Sequence, residues 1–124
     1  RRSEIVSLNV CDVNMVEEGC RVQLRKSKTD QEGRGRVVGI PYGSVLSTCP
    51  IRSIEMWLQV SGLQDDNPLF VQTTPQGKLS MSRLSGRAIA RIVQQAAKGA
   101  DLNYRFAGHS LRSGLVTAAA NIGL

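Results

Sequence analysis

Apolar positions in this chain follow two periods, and the change of period separates strands from helices. Cys20, Val22 and Leu24 alternate with Arg21, Gln23 and Arg25, the period of two that marks a half-buried strand. Arg36 to Ile40 reads as a second strand, stopped by Pro41. The polar, glycine-punctuated run from Lys26 to Gly35 is too long for a tight turn and predicts an exposed, mobile hairpin tip. A short strand at Val13 to Val16 would complete a three-stranded meander. Helical signals flank these strands. Arg2 to Leu8 predicts a short helix. Thr48 or Cys49 is placed to cap another, with Pro50 in its first turn, Ile51, Ile54 and Leu58 as its buried stripe, and Gly62 at its end. Gln64 to Pro68 reads as a loop, Leu69 to Val71 as a brief strand, and Thr73 to Lys78 as another loop. The expected class is α+β, mainly α with a small antiparallel β-meander, in one domain.

The helix predicted from Ser82 to Lys98 carries the strongest pattern. At helical spacing Leu84, Ala88, Ile89, Ile92, Val93 and Ala96 share one half of the wheel. Arg83, Arg87, Arg91 and Lys98, with Gln94, fall in an arc of roughly 80° on the other side. Like charges at i,i+4 repel by about 0.2–0.5 kcal/mol per pair. A solvated stripe tolerates that repulsion, and an anion laid along it would relieve it. The width and register suit a helix seated in a nucleic-acid groove.

Composition sharpens this. The 124 residues hold 16 basic against 10 acidic side chains, a formal net charge of +6, and twelve of the basic residues are arginine, whose planar fork matches phosphate. Such an excess points either to a polyanionic partner or to a basic surface that only maintains solubility. No apolar run approaches the ~18 residues needed to span a bilayer, so no membrane partner is expected. Cys11, Cys20 and Cys49 make an odd number without a C-x-x-C pair, which fits neither a disulfide framework nor a zinc site. They are expected to be reduced and mostly buried. With a single histidine and no acidic residues at metal-ligand spacing, no metal or cofactor is expected. Gly77-Lys78 resembles the end of a P-loop, but Leu79 stands where Ser or Thr should follow and Gln72 where the first glycine should be.

The chemistry concentrates near the C-terminal end, in Ala107-Gly-His-Ser-Leu-Arg. Ser110 is a natural N-cap, so His109 and Arg112 lie around the first turn of a helix. The free N–H groups and positive dipole end of that turn face the same way. A titratable group beside a phosphate-binding corner is the implied arrangement.

His109-Ser-Leu-Arg112 resembles the H-x-x-R motif of the tyrosine recombinases, or phage-type integrases. Two further marks stand in the family's order. Arg1-Arg-Ser-Glu4-Ile is similar to the helix bearing the family's first catalytic arginine and its supporting carboxylate, which implies Arg1 and Glu4. Arg25-Lys-Ser-Lys28-Thr-Asp is similar to the β-hairpin that bears the family's lysine, which implies Lys28. The resemblance runs from Arg1 to Leu124 and implies an integrase-like catalytic core.

What the resemblance implies is site-specific DNA recombination. A tyrosine hydroxyl attacks the scissile phosphate, leaving a 3′-phosphotyrosine and a free 5′-hydroxyl, and the strand is rejoined without a nucleotide cofactor. Arg1 and Arg112 would clamp the equatorial oxygens of the transition state. His109 would donate to the phosphate or assist proton transfer, Lys28 would protonate the departing 5′-oxygen, and Glu4 would orient an active-site side chain. Double-stranded DNA and further copies of the full-length protein in a synaptic complex are the implied partners. The implied setting is the cytoplasm, at a prokaryotic nucleoid or under a phage or mobile element.

The family's nucleophile lies well beyond H-x-x-R, and neither Tyr42 nor Tyr104 matches its place. A helix already under way at Arg1 and a chain ending at Leu124 read as cuts. Residues 1–124 are therefore expected to be a partial catalytic domain, without the N-terminal DNA-clamping domain and the C-terminal tyrosine segment, and inactive alone. Two alternatives stay open from the residues: a degenerate, non-catalytic DNA-binding module, and a type IB topoisomerase-like enzyme. RNA binding is disfavoured by the scarcity of aromatic residues for base stacking.

Overall fold

The computed structural model describes residues 1–25 and 35–102. The fold is α+β. Among the described residues there are three helices, α1 (Arg2–Ser7), α2 (Pro50–Ser61) and α3 (Gly86–Gly99). Two antiparallel sheets accompany them, β1 (Val13–Val16), β2 (Gly19–Leu24) and β3 (Arg36–Pro41) in one, β4 (Val71–Thr73) and β5 (Leu79–Arg83) in the other. The chain divides into one unit of residues 7–83 and another of residues 1–6 and 84–124.

In the first unit the predicted meander forms in the order β1-β2-β3. Val22 pairs with Val13 on one side and Val38 on the other. The alternation in β2 does its work: Cys20 and Val22 are buried while Arg21 is exposed. β3 is an edge strand with Val37 and Val38 exposed, and only Ile40 turns partly inward. The buried face of β2 meets α2 and the chain that flanks it. Ile51, Cys49, Leu69 and Cys20 are wholly buried, with Leu8, Val10, Val22, Leu63 and Val71 around them.

α2 starts and stops as its sequence dictates. Cys49 is the N-cap, Pro50 occupies the first turn, where no N–H is needed, and Gly62 ends the helix in the left-handed conformation at φ 68. Trp57 fixes the far end by donating its indole N–H to Leu69 O at 2.7 Å. After α2, the chain from Asp65 to Leu69 runs back along residues 8–11. Val10 N donates to Asn67 O, Cys11 N to Asp65 O and Leu69 N to Leu8 O, at 3.0, 3.1 and 2.9 Å.

The β4–β5 hairpin departs from the sequence expectation of a strand at Leu69 to Val71, a loop and then helix from Ser82. Leu69 is a core residue just before β4, and the polypeptide pairs again at Leu79–Arg83. A turn at Thr74–Gly77 joins the strands, with Pro75 at its second position and Gly77 at φ 82. The period-two run Leu79-Ser-Met-Ser was legible, but it abuts the helical charge pattern. Val71 pairs with Arg83 and Thr73 with Leu79, so β5 carries two more residues than β4 between those pairs. Met81 takes up the excess in the left-handed conformation, φ 61, in an irregular stretch that Ser80 ties to Gln72 O at 3.1 Å.

Gly19 is obligatory in the meander. Gly19 has φ 153, and a Cβ there would collide with the Ile40 carbonyl and come within 2.8 Å of Pro41 Cα. Nothing lies within 4 Å of a Cβ at Gly39. Gly19→Ala is expected to destabilise the protein by roughly 2–3 kcal/mol in urea unfolding, whereas Gly39→Ala should change it by less than about 1 kcal/mol.

Candidate catalytic and DNA-binding surface

α1 carries Arg1 at its start and Glu4 in its first turn. The Glu4 side chain is only 11% exposed. Close by in the same unit, α3 begins. A Cβ on Gly86 would stand 3.5 Å from Arg2 Cβ, so the two helices approach closely here. The Arg1–Glu4 segment and the basic helix are thereby neighbours. Lys28, His109 and Arg112, and with them Tyr104, lie outside the described residues.

The basic helix is real but begins later than expected. Ser85, not a residue near Ser82, caps it, its Oγ accepting from Ala88 N at 3.1 Å. Arg87, Arg91, Gln94 and Lys98 all lie exposed on the resulting helix, at the i, i+4, i+7 and i+11 spacing of one face. None of the carboxylates among the described residues pairs with Arg87, Arg91 or Lys98. Arg83 is corrected out of this stripe, because it belongs to β5 and pairs with Val71. Its guanidinium points within its own unit, donating from Nη1 to Leu8 O at 3.0 Å and from Nη2 to Asn9 Oδ1 at 2.6 Å. The inward face also differs in detail. Ala90 is the buried residue of α3, with Ile89, Val93 and Ala97 partly covered, while Ile92 and Ala96 are exposed.

A second anchor, which the sequence did not announce, lies at the root of the β2–β3 hairpin. Asp12 is buried, 6% exposed, and its two oxygens take Asn9 N at 2.8 Å and Arg25 Nη2 at 3.1 Å. Arg25 is the residue just after β2 and lies at the end of the described strand that leads towards Lys28. Its only signal in the sequence is the Asn9-x-x-Asp12 spacing, which resembles a local cap.

The other reactive groups have structural surroundings. Cys11 is exposed, Cys20 and Cys49 are buried, and none is in a disulfide. Burial pushes the Cys20 thiol above its ordinary pKa. Burial pushes the Cys49 thiol up too, but the N–H groups of Arg52, Gly43 and Ile51 and the Arg52 charge outweigh it and hold the pKa below its ordinary value. Cys49 Sγ accepts from Gly43 N at 3.1 Å. Tyr42 lies beneath the Arg52 guanidinium, 5.6 Å from ring centroid to Cζ, and its hydroxyl donates to Glu55 at 3.5 Å. No group of three or more His, Cys, Asp or Glu among the described residues could hold a metal ion. No described helix is long and apolar enough to cross a membrane.

Comparison with known proteins bears on the family and the fold. Residues 1–124 match the sequence pattern of the phage integrase family. The chain is 35% identical over 121 residues to the integrase/recombinase xerD homolog of Selenomonas ruminantium, covering 97% of this chain and 35% of that relative. It is similar in fold to the crystal structure of XerA recombinase, with a TM-score of 0.71 and 22% identity, over 100% of this chain and 39% of that one. The chain thus spans well under half the length of either.

Asp12→Ala is expected to cost about 2 kcal/mol in denaturant unfolding, chiefly because Asn9 N loses its acceptor. Arg25→Ala should cost less than about 1 kcal/mol, since its side chain is 52% exposed and the ion pair is screened.

Proposed function

Because the chain belongs to the phage integrase family, we propose that it contributes the phosphate-activating groups of a site-specific DNA recombinase, with the attacking tyrosine supplied by residues other than these 124. The observation that carries the reading is the adjacency of the Arg1–Glu4 helix to a helix whose exposed face bears Arg87, Arg91 and Lys98 with no carboxylate partner among the described residues. Duplex phosphates supply the missing counter-charge along α3, and a phosphate held there lies beside the helix that carries Arg1.

The chemistry follows from the residue types. A tyrosine oxygen attacks phosphorus, the P–O5′ bond breaks, and the 3′-phosphate is left on the tyrosine. Negative charge grows on the non-bridging oxygens, where the forks of Arg1 and Arg112 stabilise it. His109 donates to the same phosphate or moves the proton of the attacking hydroxyl, and Lys28 delivers a proton to the departing 5′-oxygen. Glu4, nearly buried, orients a side chain of this set. Rejoining reverses these steps on a new 5′-hydroxyl. The phosphotyrosine conserves the bond energy, so no nucleotide cofactor enters. Copies of the full-length protein assemble on paired sites to exchange strands, in the cytoplasm and on the DNA of a prokaryotic host or its mobile elements. In this reading Tyr42, which faces Arg52 and Glu55, is a structural residue.

Two measurements test this. Duplex binding by the wild-type chain should weaken steeply with salt, and Arg87→Ala should lower the log–log salt slope by about 0.9, one phosphate contact. An unchanged slope would remove α3 from the DNA interface. In the protein carrying its tyrosine, Arg112→Ala should abolish covalent adduct formation on a nicked suicide substrate while duplex binding persists. Adduct formation at the wild-type rate would contradict the assigned role.

A further inference from the structure

The exposed face of α3 is wider than its basic stripe. The helix packs inward through Ala90, with Ile89, Val93 and Ala97 partly covered. At helical spacing Gln95 falls almost diametrically opposite this inward face, roughly 40° around the axis from Arg91 on one side and roughly 60° from Ile92 on the other. Gln95 is exposed, and its amide has no hydrogen-bond partner among the described residues. Ile92 is 51% exposed, although its place in the apolar repeat pointed inward. Arg87 and Lys98 stand on the flank away from Ile92. Around its axis the helix therefore presents a basic flank, an amide at its crest and a branched apolar side chain on the other flank.

These three chemistries match the parts of a major groove. Phosphates line the walls, and base edges form the floor. The cations of the basic flank have no carboxylate partner among the described residues, a charge pattern complementary to a polyanion. A helix that turns this flank to one wall carries its crest to the base edges. There a glutamine amide matches adenine, donating from Nε2 to N7 and accepting at Oε1 from the N6 amino group. Guanine presents two acceptors at the same positions, so Oε1 finds no donor on it. Isoleucine has nothing to offer a phosphate, and the apolar group that the groove provides is the C5-methyl of thymine. Ile92 and Gln95 are about 4.5 Å apart along the helix, close to the about 3.4 Å between successive base pairs, so both can engage neighbouring pairs.

Building on the recombinase reading above, we infer that Gln95 and Ile92 are specificity-determining residues. With them α3 selects A·T pairs in the major groove of the recombination site, Gln95 by pairing with adenine N6 and N7 and Ile92 by contact with a thymine methyl. Arg87, Arg91 and Lys98 contribute affinity without choosing sequence.

The test uses the protein that carries this chain together with its tyrosine, and begins with selection from a randomised duplex library at fixed salt. The selected duplex is then resynthesised, one position at a time, with 7-deazaadenine, which lacks the N7 acceptor, or with uracil, which lacks the thymine methyl. Wild type should lose about tenfold in affinity from 7-deazaadenine at one position. It should lose about fourfold, the scale of one buried methyl, from uracil at the same or a neighbouring pair. Gln95→Ala should bind the adenine and 7-deazaadenine duplexes equally, and Ile92→Ala the thymine and uracil duplexes equally. Arg87→Ala should weaken binding to every duplex while both discriminations persist.

Discrimination against 7-deazaadenine kept in Gln95→Ala, or against uracil kept in Ile92→Ala, would overturn the assignment. Ile92→Ala that leaves duplex affinity unchanged and weakens association between copies would overturn it too, by putting protein against that flank. Wild type that forms the covalent adduct without sensing either analogue would overturn this inference alone. Wild type that selects no duplex and forms no adduct would overturn the recombinase reading itself.

Discussion

The carbonyl oxygen of Leu8 accepts from Leu69 N and from the Arg83 guanidinium, at 2.9 and 3.0 Å. Three stretches far apart in sequence meet at this one acceptor. The Leu69 bond aligns the return chain from α2 against residues 8–11, and the side chain of Leu69 then enters the core beside Ile51, Cys20 and Cys49. Trp57 closes the same region by donating to Leu69 O. The meander, α2 and the β4–β5 hairpin are therefore organised around one short antiparallel pairing that no local pattern dictates. A buried carbonyl with two donors satisfied is also a rigid one, since moving either partner strands a polar group away from water.

In the recombinase reading, the chain offers DNA two kinds of positive charge. The α3 stripe is exposed and has no carboxylate partner among the described residues, the state expected of groups that await phosphates. Arg25 and Arg83 are engaged with Asp12, Leu8 and Asn9, and serve the fold from which catalytic groups are presented. On that reading the charge of +6 is divided between holding and binding, a division that composition could not display.

Much of the architecture was legible because it is local. The alternation of Cys20, Val22 and Leu24, the Pro50 start and Gly62 stop of α2, and the basic face of α3 each follow from residues near one another in sequence. The errors came where two local patterns competed. Leu79 to Arg83 carries a strand period and also adjoins a helical charge repeat, and pairing with β4 decided the outcome. Ser85 then became the cap, and Arg83 left the helix. Of the candidate site, the family-like motifs were legible as spacings. The Asp12–Arg25 and Arg83–Leu8 ties were not, because they join residues 13 and 75 positions apart.

If these residues activate a phosphate for attack by tyrosine with departure of the 5′-oxygen, the cut strand carries the record. The most direct measurement is the chemistry of the cut strand: digest the protein–DNA adduct and identify both DNA ends. The expected ends are a tyrosine-containing peptide on the 3′-phosphate and a free 5′-hydroxyl on the released strand. A peptide on a 5′-phosphate with a free 3′-hydroxyl, or cut ends with no attached peptide, would contradict it.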